Sequence, residues 1–193
     1  MKLKLTILIV IFTNSLIFPQ VNSQGGSVWM AKEFSKDIAL FYAKSYLIKN
    51  VLESSPEIVK FVTVPLAASN SGELTTLIYK CDGQEKEGII LGFYGNYWND
   101  AGVSYQGFAF KNFDKNQSVE FLAKIQDVIT KNWEFLSALN DSNCLFFNYD
   151  DIGVLICSSS NSYSIRLFWN RFDSSWEKIA FERTKKRFEK NSK

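Results

Sequence analysis

Three kinds of side chain in this sequence can carry chemistry: clustered carboxylates, cysteine thiols, and aromatic rings concentrated in one short stretch. Histidine is absent from all 193 residues. That removes the commonest general base and metal ligand, and with it Ser–His–Asp and Cys–His catalysis. The chain has no CxxC, no GxGxxG and no GxxxxGK[ST], so thioredoxin-type redox chemistry and nucleotide cradling by those loops are unsupported.

Carboxylates remain. Asp150 and Asp151 are adjacent, and Asp100 lies in a separate polar stretch. A glycosidase needs two carboxyl groups facing each other across a sugar, roughly 5–10 Å apart. Neighbours in one tight turn diverge, and Asp is favoured there for backbone reasons. Asp150-Asp151 is therefore expected to form a turn, with Gly153 supplying the positive φ. An acid pair built from Asp100 and a distant residue stays open as the catalytic alternative, a glycan-acting hydrolase. Asp100, Asp150, Asp151 and Asn99 are oxygen donors, but the alternating spacing of a calcium loop is missing. No metal or cofactor is expected. Ser158-Ser159-Ser160 has no lysine at a fixed spacing that would activate a serine and reads as a solvated loop.

The aromatic stretch is Ile89–Phe110, IILGFYGNYWNDAGVSYQGFAF. Stacking candidates are Phe93, Tyr94, Tyr97, Trp98 and Tyr105. In a strand, Ile89, Leu91 and Phe93 point one way and Ile90, Gly92 and Tyr94 the other. Both sets are apolar or small, which predicts a central strand covered on both faces. Phe108 and Phe110 share a face and should bury together. Tyr97-Trp98-Asn99-Asp100, at the tip between two strands, is the candidate ligand- or partner-binding site, because large rings in a loop have no core to enter.

Of the cysteines, Cys157 lies in the apolar run VLICS and reads as a small buried hydrophobe. If a disulfide forms, Cys81 with Cys144 is preferred, both falling at strand ends.

Elements that would position these groups follow from periodicity. Steps of four and three at Phe34, Ile38, Phe41, Ile48 and Leu52, with Ser45 filling the gap in the series, predict a first helix from Trp29 that ends before Pro56. Strands are expected at Ile58–Leu66, with Pro65 at an edge or bulge, and at Leu74–Cys81, Gly88–Tyr94 and Val103–Lys111. A second helix spans Ser118–Leu139, capped by Asn116 or Ser118. Three more strands are Cys144–Tyr149, Gly153–Ser158 and Tyr163–Asn170. Ser174-Ser175-Trp176-Glu177 reads as a capping box opening a third helix to about Lys190. The order α-ββββ-α-βββ-α predicts an α+β fold, antiparallel sheet with helices on one face.

Residues 1–23 have the layout of a secretory signal peptide: Lys2 and Lys4, an apolar run from Leu5 to Phe18, then Val21-Asn22-Ser23. The run is too short to span a bilayer, so no stable membrane anchor is expected after cleavage. Residues 24–193 are read as a single domain, secreted or periplasmic. Of 22 basic residues the leader takes Lys2 and Lys4, leaving 20 against 20 acidic ones. A neutral body argues against nucleic acid as a partner. The basic tail Glu177–Lys193 is first a solvated helix face with cations at its dipole's negative end, and second a surface for an acidic partner or lipid head groups. The functional expectation is an exported, non-catalytic domain. It binds a protein partner or small ligand through aromatic loop tips.

Overall fold

The computed structural model describes residues 39–53, 56–98, 101–138, 143–160 and 162–192. The expected signal peptide, Trp29, Phe34, Ile38, Asn99, Asp100 and Leu139 lie outside them.

Eight strands form two four-stranded antiparallel meanders. The first sheet is β1 (Lys60–Ala68), β2 (Leu74–Asp82), β3 (Lys86–Trp98) and β4 (Ser104–Asp114), in that order. The second is β5 (Cys144–Tyr149), β6 (Ile152–Ser159), β7 (Ser162–Trp169) and β8 (Phe172–Glu177). Helix α1 (Ala39–Asn50) precedes the first sheet, α2 (Lys115–Lys131) and α3 (Trp133–Ser137) join the sheets, and α4 (Lys178–Asn191) follows the second. The α+β class and antiparallel sheets match the pattern in the sequence.

β3 divides the interior in two. Ile89, Leu91 and Phe93 enter a large core with Leu74 and Ile78 of β2, Phe121 and Ile125 of α2, Ile156, Ile165 and Trp176 of the second sheet, and Phe181 and Phe188 of α4. Ile90 and Tyr94 enter a smaller core with Leu77, Tyr79, Phe110, and Ala43 and Leu47 of α1. Both faces of the first sheet are thus covered, so its helices lie on two sides rather than one. A strand apolar on both faces requires this.

α1 turns a different face inward from the one expected. Ala43 and Leu47 are buried, while Phe41 and Ile48 are exposed. Leu40, Tyr46 and Val51 widen the buried face. Apolar residues recur on both sides of this helix, and the sheet contact selects one.

β1 carries a register shift between Pro65 and Ala67, as an edge-strand proline predicts. α2 begins earlier than expected. Asp114 accepts from the Gln117 N–H at 2.8 Å, and Gln117 reaches back to the Asp114 N–H at 3.1 Å, a reciprocal cap. Ser118, expected as a cap, is instead a buried tie: its Oγ accepts from the Ile89 N–H at 3.0 Å and donates to the Asp114 carbonyl. The helix breaks at Asn132, whose amide donates to the Val128 carbonyl at 2.8 Å.

The supposed capping box at Ser174–Glu177 is strand. Phe172, Ser174 and Trp176 are buried alternately, and β8 pairs with β7 throughout. The preceding turn is built on Asn170 and Arg171 with φ of 47° and 71°, a two-residue hairpin turn made without glycine. Helix α4 starts only at Lys178, and Glu177 makes no capping bond.

Candidate functional site

Asp150 and Asp151 form the β5–β6 turn, as expected, but the positive φ falls on Asp150 (53°) and not on Gly153. Gly153 is a strand residue where an added Cβ would meet the Phe146 ring at 3.2 Å. Both carboxylates are engaged. Lys111 of β4 lies 2.8 Å from Asp150 and 2.7 Å from Asp151, and the Trp169 indole donates to Asp151 at 2.8 Å. Burial pushes the Asp151 carboxyl up, but the bonds from Lys111 and Trp169 outweigh it and hold the group below its usual range. These acids brace the two sheets through Lys111.

Cys144 is bonded to Cys157, not to Cys81, which stays a buried free thiol. Register decides this. Cys144 and Cys157 are direct partners on β5 and β6, and the Ser158 N–H donates to the Asn143 carbonyl next to them. They therefore form a non-hydrogen-bonded pair, the closest approach in an antiparallel ladder, with Cα atoms 4.1 Å apart. Burial pushes the Cys81 thiol up, which leaves it a poor nucleophile.

The β1–β2 loop is closed by its own bonds and by one from β8. Ser69 Oγ accepts from the Leu74 N–H at 3.1 Å and sits 3.1 Å from Ser71 Oγ, and the Asn70 N–H donates to Glu177. A cleft of about 410 Å³ lies between the end of α1, the β2–β3 turn and the start of α2, bordered by Asn50, Glu85, Lys86, Asn112 and Lys115. Its lysines are engaged: Lys86 donates to the Val51 carbonyl at 2.7 Å, and Lys115 pairs with Glu87 at 3.1 Å. Burial pushes the Tyr79 phenol on its wall up to about 12, so it stays protonated at neutral pH. Among the described residues, no group of three or more His, Cys, Asp or Glu side chains is placed to hold a metal ion.

The β3–β4 hairpin is different. β2 pairs with β3 only as far as Leu74↔Phe93, while β3 and β4 continue to pair through Gly95↔Gly107 and Tyr97↔Tyr105 to Trp98↔Ser104. A two-stranded ribbon therefore extends beyond the sheet and carries Tyr97 and Trp98 at its end. Asn99 and Asp100 follow outside the described residues. On one side of its base, Tyr42 of α1 packs on Phe108 with ring centroids 4.4 Å apart, and Phe41 meets Tyr42 at 5.5 Å. These rings keep large exposures, 66% for Phe41, 39% for Tyr42 and 40% for Phe108. On the other side, the β7–β8 turn closes a cleft of about 220 Å³ with Phe108, Ala109 and Phe172. Phe93 is buried against Trp169 at 5.1 Å, as expected of a core ring.

Phe110 buries but Phe108, on the same face, does not, because only Phe110 sits opposite the covered part of the sheet. Phe41 and Tyr42 are the residues that sequence reading missed. The register needed to find them is that between α1 and β4, which no local pattern encodes. No protein-family model, curated protein or solved structure matches the chain.

Proposed function

We propose that the chain is a non-catalytic binding domain acting outside the cytosol. It engages a protein partner through the β3–β4 ribbon and the aromatic strip at its base. The observation that carries this reading is the strip Phe41–Tyr42–Phe108, left exposed beside a ribbon that continues past the sheet. Aromatic rings fixed by packing at their base lose little entropy on binding, and such residues dominate interface energetics. Tyr97 and Trp98 would extend the same contact at the ribbon's end. The bonded Cys144–Cys157 pair is chemistry that an oxidising compartment sustains. The engagement of Asp150 and Asp151 by Lys111 supports binding over hydrolysis.

The test compares the intact protein with a Phe41→Ser, Tyr42→Ser, Phe108→Ser variant, each immobilised and exposed to the medium and envelope fractions of the source cells. The reading expects one protein retained by the first and lost by the second, with both forms equally folded by circular dichroism. Release of reducing sugar from a glycan substrate, abolished by Asp150→Asn with Asp151→Asn, would replace it with the hydrolase.

A further inference from the structure

At the opposite edge of the first sheet, among the described residues, β1 pairs with β2 on one side only. Its last part is closed: Pro65 has no N–H, the register shifts beside it, and Arg187 Nη1 of α4 donates to the Leu66 carbonyl at 2.5 Å. Among the described residues, the stretch Lys60–Val64 has no such cover. Val62 and Val64 share a sheet face with Lys60, and they remain 56% and 41% exposed.

α4 packs against β1 on that face. Two contacts place it on the sheet: Arg187 reaches the Leu66 carbonyl of β1, and Lys115 joins the Ser192 carbonyl to Glu87 of β3. Ala180, Phe181, Thr184 and Phe188 face inward. Arg183, Lys186 and Lys190 face out at helical spacing, with Arg187 on the flank next to β1. The helix's acids are used on the other flank, Glu182 with Lys178 at 3.9 Å and Glu189 with Lys185 at 3.6 Å. Among the described residues, Lys60, Arg183, Lys186 and Lys190 have no carboxylate partner.

We infer that β1 and α4 together form a docking edge for an extended acidic segment of another protein, added as a fifth strand beside Lys60–Val64. An open edge offers a row of backbone donors and acceptors to an incoming strand. Alternation would place acidic side chains toward Lys60, Arg183, Arg187 and Lys190, and apolar ones toward Phe61 on the other face. A second copy of this chain is disfavoured, because pairing β1 with itself would bring two sets of these cations together. This edge is separate from the aromatic ribbon, so its test stands apart from the proposed function.

The probe is a fluorescein-labelled peptide of alternating Glu and Val, read by anisotropy with the full chain. Three comparisons accompany it. They are the same peptide N-methylated on alternate backbone nitrogens, the variant Arg183→Glu with Lys190→Glu, and vesicles of phosphatidylglycerol and phosphatidylcholine. The inference expects saturable peptide binding that weakens at least about tenfold on N-methylation, at least about tenfold in the charge variant, and with added salt. The exposed positions of Arg183 and Lys190 let the variant fold, checked by circular dichroism. Equal binding of the N-methylated peptide would reduce the site to charge attraction and overturn strand addition. Failure of the peptide to bind, with or without retention on the anionic vesicles, would overturn it too, and retention would assign the cations to a lipid surface.

Discussion

Lys111 Nζ lies 2.7 Å from Asp151 Oδ1, and this ion pair ties the outer strand of the first sheet to a turn of the second. The same ammonium reaches Asp150 at 2.8 Å and stands over the Phe113 ring at 5.7 Å. Lys111→Met keeps the stem but removes the shared donor. Because the ammonium is largely covered, the loss is expected to destabilise the fold by about 1–2 kcal/mol, more than an exposed pair would. Urea denaturation measures it, and a change within a few tenths of a kcal/mol would show the brace to be idle.

The same pair sets a pH dependence. The Asp151 carboxyl is held below its usual range in the folded chain. A depressed carboxylate contributes stability that is fully present above its unfolded pKa, about 3.9, and is lost as pH falls through the folded value. Wild type should therefore lose part of its stability below about pH 4, while Asp151→Asn should lose less over that window. Thermal melts across pH 2–6, roughly spanning both states of the group, read the difference.

Non-reducing peptide mapping should recover Cys144 linked to Cys157, with Cys81 alkylated only after unfolding. The bond closes a separation of 13 residues, so Cys144→Ser with Cys157→Ser is expected to cost about 2–3 kcal/mol, less whatever strain the bond carries. Recovery of a Cys81-linked peptide would reverse the pairing.

Much of the architecture was legible from residue pattern alone, and the exceptions share a cause. β3 was readable because Ile89–Tyr94 is apolar or small on both faces, which permits only a covered central strand. Pro65 announced its bulge for the same local reason. The inward face of α1 was not readable, since Phe41 and Ile48 repeat as regularly as Ala43 and Leu47, and only the sheet beneath breaks the tie. The disulfide failed likewise: Cys144 meets Cys157 through strand register, a non-local quantity. β8 was hidden because its turn uses Asn170 and Arg171 rather than glycine, and because Ser174-Ser175-Trp176-Glu177 satisfies a helix-start pattern. Of the candidate site, the ribbon's tip was singled out from its rings alone, while the strip at its base needed the packing of α1 on β4.

Gly88 sits where β3 passes the end of β4. An added Cβ would lie 1.9 Å from the Phe113 carbonyl oxygen and 2.9 Å from two Asp114 backbone atoms. Phe113 is itself buried in the large core, and the Asp114 cap starts α2 immediately after. Neither can move without disturbing the other. Gly88→Ala is therefore expected to destabilise the fold by more than about 2 kcal/mol, at the upper end for overpacking. A neutral result in chemical denaturation would mean the two strands stand further apart there.

Ser174 separates the strand and helix-cap assignments of its segment by the sign of one measurement. As a helix cap, its hydroxyl would hold a backbone N–H, and Ser174→Ala would cost about 1 kcal/mol. In β8 the residue is buried between Phe172 and Trp176, and its Oγ has no hydrogen-bond partner among the described residues. A buried hydroxyl without a partner carries its desolvation penalty uncompensated, so removing it should stabilise the fold, by about 0.5–1 kcal/mol. The backbone is unaffected, since Ser174 pairs with Leu167 through main-chain atoms. Urea midpoints for wild type and Ser174→Ala decide it: a higher midpoint in the variant supports the strand, and a lower one supports the cap.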